Sequence, residues 1–170
     1  MTTSNRLTLA GAAVSLAIAY LNLRPWWKSG RKIKDLAPFG GMFLLGAVST
    51  MCVGGLLGWL AGCSAAGANT AGGRAVPGAT GKEPGSALAH SAIGSLTPEG
   101  GVVVFLAAVA AAAAWKAAGK ADQRRMAGGV FVGSTVTLTA GVAGALAWLP
   151  DAVNGLGAGL RGTLEGTGIL

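Results

Sequence analysis

Four apolar stretches without a single Asp, Glu, Lys, Arg or His divide this chain: Leu7 to Leu23, Pro38 to Gly62, Gly100 to about Ala114, and Gly128 to Leu149. Coiled as helices, runs near 20 residues match the hydrocarbon thickness of a bilayer, where helices satisfy their own backbone groups. The remaining composition agrees. Only 11% of residues are charged, whereas soluble domains carry about a quarter. Many of the 30 glycines fall inside the apolar runs, and transmembrane helices tolerate them there better than soluble helices do. The expected fold is all-α: a polytopic membrane protein with four transmembrane helices in two tandem helical hairpins. Residues 1–63 and 99–150 form the hairpins, 64–98 a flexible outer linker, and 151–170 an amphipathic or frayed C-terminal tail.

The stretches differ in strength. The second and fourth are long enough to cross with some tilt. The third is rich in Ala, so Val102, Val103, Val104, Phe105 and Leu106 supply most of its insertion energy. Its start has helix-entry chemistry: Thr97 as cap, Pro98 in the first turn and Glu99 at the positive dipole end. The first stretch ends in a dense basic cluster, a charge balance opposite to that of a cleaved signal peptide, so it reads as an uncleaved anchor.

Orientation follows from the flanks. Arg24, Lys28, Arg31, Lys32 and Lys34 lie between the first two stretches, and Lys116, Lys120, Arg124 and Arg125 between the last two. The other side holds only Arg6, Arg74, Lys82 and Arg161. Positive loops stay cytoplasmic, which places both termini outside a bacterial cytoplasmic membrane. Trp26, Trp27 and Trp115 stand beside the basic clusters, whereas Trp59 and Trp148 close the following stretches. All five suit interfacial anchoring. The formal charge of +7 points to anionic lipid headgroups at the cytoplasmic loops, and no nucleic acid is expected.

A shift of about 88 positions lays Trp27-Lys28 on Trp115-Lys116, Lys32 on Lys120, Gly40-Gly41 on Gly128-Gly129 and Phe43 on Phe131. With a slip of one residue, Trp59 meets Trp148. The halves read as a parallel duplication, each a helical hairpin, related by an axis along the membrane normal. Small residues recur at every fourth position in both: Gly46, Thr50, Gly54, Gly58 and Gly62, then Gly129, Gly133, Thr137, Gly141 and Ala145. Such stripes let backbones approach closely, either within one chain or in a homo-oligomer.

Catalytic chemistry is missing from the pattern. Ion-coupled transport places ionisable groups at membrane depth, and these stretches hold none. His90 reads as a solvated loop residue, and no ligand spacing suggests a metal or another cofactor. The string from Gly78 to Glu83 ends in Gly81-Lys82 but lacks the remaining phosphate-loop residues, so it reads as linker. No small-molecule substrate or enzyme activity is expected. Cys52 reads as a small apolar residue, and eleven helical residues hold it about 16 Å from Cys63, beyond disulfide reach. Leu60-Ala61-Gly62-Cys63 resembles the lipobox of bacterial lipoproteins, which makes Cys63 a candidate lipidation site. A short helix near Ser86 to Ile93 is expected in the linker. In the tail, Val153, Leu156, Leu160 and Leu164 share one helical side.

The Ala/Gly-rich stretches, Arg24-Pro25-Trp26-Trp27-Lys28 and Trp148-Leu149-Pro150-Asp151 resemble small polytopic membrane proteins of actinobacteria and their phages or conjugative elements. Each half is also broadly similar to conjugative pilin subunits, from which the fused second copy departs. The resemblance implies a non-enzymatic protein packed through small-residue helix faces, serving as an oligomeric pore, scaffold or transfer component. The alternatives are a holin-like lysis protein and a lipoprotein anchor processed at Cys63.

Overall fold

Gly54 and Gly55 break the second apolar stretch. Both take left-handed backbone angles, with φ of 88° and 69°, which a continuing right-handed helix does not accommodate. The preceding hydroxyls prepare the stop. Ser49 Oγ donates to the Gly46 carbonyl at 2.6 Å and Thr50 Oγ1 to that of Ala47 at 2.7 Å, while the backbone tightens into i−3 bonds from Thr50, Met51 and Cys52. A computed structural model describes residues 7–28, 30–52, 54–83, 85–88 and 93–167. These hold seven helices and no strand: α1 (Leu9–Lys28), α2 (Ile33–Ser49), α3 (Gly55–Thr80), α4 (Pro98–Ala117), α5 (Lys120–Val136), α6 (Ala140–Ala145) and α7 (Leu149–Gly166).

The expected continuous helix from Pro38 to Gly62 is therefore two helices, α2 and the start of α3. Gly128 to Leu149 divides in the same way. Ser134, Thr135 and Thr139 bond back to carbonyls of α5, which ends before a turn into the six-residue α6. Among the described residues, one helix is long and apolar enough to cross a membrane, α4. The 17-residue α2 and α5 are shorter than the runs read from the sequence.

The linker is not loop throughout. α3 runs to Thr80 and ends at Gly81, whose φ of 65° and N–H bond to the Pro77 carbonyl close the helix. Packing of Ala65 and Ala68 against Leu7 and Leu138 offsets the helix cost of its glycines. Ser86 to Leu88, expected to begin a short helix, lie extended beside the start of α1, with Leu88 N–H donating to Leu7 O at 2.7 Å. Residues 89–92, with His90, fall outside the described set. The tail is a helix, α7, with Pro150 in its first turn. Its buried side is Leu149, Pro150, Val153 and Gly157, whereas Leu156 is 65% exposed. The apolar stripe expected along 153–164 is thus rotated, because Gly157 takes the closest approach.

The centre of the bundle is the crossing of α2 and α5. A Cβ on Gly129 would meet the Phe39 carbonyl, with Phe43 N at 3.1 Å; one on Gly133 would meet the Phe43 carbonyl; one on Gly46 would lie 2.9 Å from Ser134 N. Residue numbers rise together along both helices, so they run in the same direction. α1 lies along α5, with Asn22 against Gly128. α3 crosses the start of α1, and α7 crosses the start of α4. Each half is therefore a three-part unit and not a hairpin: a helix leading to the basic loop, a helix returning beside its counterpart, and a third segment lying across the far end.

Candidate functional site

The two crossings at the far end have the same construction. In the first, Asn69 of α3 accepts from Thr8 N at 2.8 Å and Thr8 Oγ1 at 3.0 Å, while Thr8 Oγ1 accepts from Gly11 N at 3.0 Å. In the second, Asn154 of α7 accepts from Thr97 N at 2.9 Å and Thr97 Oγ1 at 3.3 Å, while Thr97 Oγ1 accepts from Gly100 N at 3.1 Å. One turn along, Gly72 packs on the Ala10–Gly11 peptide and Gly157 on the Glu99–Gly100 peptide. Each threonine caps a helix, as expected for Thr97, and each asparagine ties a crossing helix to that cap. The asparagines and their partner glycines went unnoticed in the sequence. The signal was present, as Asn-x-x-Gly paired with Thr-x-x-Gly in both halves.

The second crossing also carries ion pairs. Arg161 bridges Glu99 at 3.0 Å and Glu165 at 2.7 Å. Its hydrogen bonds to Glu165 and then Glu99, with both carboxylate charges behind them, raise its pKa above the ordinary arginine value.

The basic residues gather at the opposite end. Because α2 and α5 run the same way, the turn before each lies at one end of the bundle, with Arg24, Lys28, Arg31, Lys32 and Lys34 beside Lys116, Lys120, Arg124 and Arg125. Arg125 links the two turns, donating to the Asp35 carbonyl and to Asp122 Oδ1, each at 3.4 Å. Trp26 shapes the first turn, its Nε1–H donating to Lys32 O at 2.9 Å. Trp27 and Trp115 stay exposed at this end, and Trp59 and Trp148 are exposed near the other.

The small-residue stripes serve several purposes. Gly46, Gly129 and Gly133 make the α2–α5 crossing, and the buried Thr137 hydroxyl donates to the Gly133 carbonyl. Gly54 forms the turn, Gly58 packs on the Cys52 carbonyl, and Gly141 faces open space. Thr50 is half-buried, Ala145 is exposed, and Gly62 is half-buried within α3. Cys63 is exposed in the middle of α3, and Cys52 is half-buried.

Between α2 and α4 the two halves differ most. An apolar groove of about 450 Å³ runs from Ala37 and Ala114 at the basic end to Val104 and Val153 below α7. In the register that lays Thr8 on Thr97 and Gly11 on Gly100, its wall residues Ala107, Ala110, Ala111 and Ala114 replace Ile18, Leu21, Asn22 and Pro25 of α1. Asn22 fills the space over Gly128, whereas a Cβ on Gly40 or Gly41 of α2 would meet nothing within 4 Å. No group of three or more His, Cys, Asp or Glu side chains able to hold a metal occurs among the described residues. Compared with known proteins, the chain matches no family, no curated protein and no solved structure.

Proposed function

We propose that this protein is a non-enzymatic integral membrane component that crosses the bilayer repeatedly, with both basic turns on the cytoplasmic face of a bacterial membrane. It acts as a scaffold or transfer component through its shape and surfaces. One observation carries this reading: large apolar side chains stand exposed around the helices, while the apolar core takes in only small hydroxyl residues. The buried polar residues are Ser15, Ser49, Ser134, Thr135 and Thr137, while Leu16, Leu21, Leu56, Phe105 and Val109 lie more than half exposed. Water would penalise that surface, and lipid accepts it. No buried side-chain nitrogen or oxygen among the described residues lacks a hydrogen-bond partner, as an apolar solvent requires.

On this reading α1, α2, α4 and α5 are the crossing elements, short members being accommodated by a thinned bilayer and interfacial tryptophans. α3 and α7 lie across the outer end. Gly46, Gly129 and Gly133 close the monomer's own α2–α5 crossing, so homo-oligomer contacts fall on the exposed apolar faces. Fractionation tests the reading. The protein should remain with membranes through alkaline carbonate and need detergent for release, and reporters at Lys32 and Arg124 should be shielded from outside intact cells. Solubility without detergent, or external access at either position, overturns it.

A further inference from the structure

We infer that the groove between α2 and α4 holds one acyl chain of an anionic phospholipid from the leaflet at the basic end, its phosphate lying between Lys34 and Lys116. The inference rests on the membrane reading and adds a specific lipid partner to it.

Three observations converge. First, the groove arises where four alanines of α4 stand in for the larger residues of α1, while Gly41 opposite them on α2 remains open. The first unit fills the equivalent space with its own side chains, and the second leaves about 450 Å³, several times the size of a cavity that admits a benzene ring. An apolar slot of that size inside a lipid-facing surface is filled by hydrocarbon. Second, its length fits. From Ala37 to Val48 the α2 wall rises about 16 Å, close to the roughly 15 Å hydrocarbon depth of one leaflet, and Leu149 and Val153 of α7 close the far end. Third, the open end carries the right charge. Lys34 lies one turn before Ala37 and Lys116 two residues after Ala114. Both are exposed, and neither forms an ion pair among the described residues. A phosphate at this mouth meets positive charge while its chain enters a slot lined by apolar atoms.

The test uses the full-length protein, purified in mild detergent, stripped of lipid and titrated with phosphatidylglycerol or phosphatidylcholine under native mass spectrometry. One phosphatidylglycerol should bind with about a thirtyfold preference over phosphatidylcholine, the scale set by two lysines near a headgroup. Gly41→Leu projects a side chain into the open slot and should abolish retention of both lipids, with Ala111→Leu as a second filling variant should the first lose its helical circular dichroism. Lys34→Gln combined with Lys116→Gln should remove the preference while leaving weak binding of either lipid. Gly141→Leu, which also enters open space but away from the groove, should bind as the parent does. Equal retention of the two lipids by the parent protein, or undiminished retention by both folded filling variants, overturns the inference. A chain that proves soluble without detergent removes the membrane reading itself, a separate outcome from a membrane-embedded chain without lipid preference.

Discussion

The side chain of Asn69 holds Thr8 at 2.8 Å across the first helix crossing, and one unit later Asn154 holds Thr97 at 2.9 Å across the second. Each asparagine oxygen serves both the backbone N–H and the hydroxyl of its threonine, so the caps of α1 and α4 depend on a residue roughly sixty positions away. Asn69→Ala should lower stability by about 1–3 kcal/mol, the cost of leaving part-buried donors unmet. Asn154→Ala should cost less, because the bonds it removes are exposed and solvent can replace them. Thermal unfolding in detergent measures both.

Glycines at the central crossing should tolerate no side chain. Gly129→Leu and Gly133→Leu drive carbon atoms into the backbone of α2, where no rotamer offers relief, and each should cost about 3 kcal/mol or more. Gly141→Ala meets nothing and should be neutral or slightly stabilising. The midpoint of thermal unfolding distinguishes these outcomes.

The far-end ion pairs should matter little. Arg161 is 61% exposed, and water screens what it gains from Glu99 and Glu165. Arg161→Ala should leave the midpoint of thermal unfolding nearly unchanged, with any difference vanishing at high salt. A larger loss would show that α7 depends on charge as well as on Asn154.

The two thiols should differ in reactivity. Cys63 is exposed on α3, whereas Cys52 is half-buried with its sulfur 3.8 Å from the Val48 carbonyl. In detergent, a maleimide should modify Cys63 first, as peptide mass spectrometry over a time course will show.

How far the sequence foretells this fold depends on which physical signal each element uses. Helical content, the cap at Thr97 and the gathering of the basic turns follow from local chemistry and charge, and they were legible. The interruptions at Ser49 to Gly55 and Ser134 to Thr139 were not, because hydroxyl groups and left-handed glycines count as apolar or neutral in a hydropathy run, although they divert the backbone. The part of α3 after Cys63 reads as linker for a related reason. Its Ala, Gly, Ser and Thr look like a flexible segment by composition, but packing of Ala65 and Ala68 against Leu7 and Leu138 holds it helical. Of the small-residue stripes, Gly46, Gly129 and Gly133 meet their partners in space. Gly54 and Gly58 recur at the same spacing but serve a turn and a local contact, since periodicity within a helix says nothing about which neighbour arrives. The groove was invisible for the same reason, as it exists only where α4 alanines face α2.

The like-directed crossing of α2 and α5 has a further consequence. Two identical chains meeting about a twofold axis would have to make one surface serve as both knob and recess. Here the recesses differ: Gly129 and Gly133 of α5 take in the α2 backbone at Phe39 and Phe43, and Gly46 of α2 takes in the α5 backbone at Val130 and Ser134. Because both surfaces belong to one polypeptide, neither has to match itself, so this crossing can close tightly while the face toward α4 stays receptive.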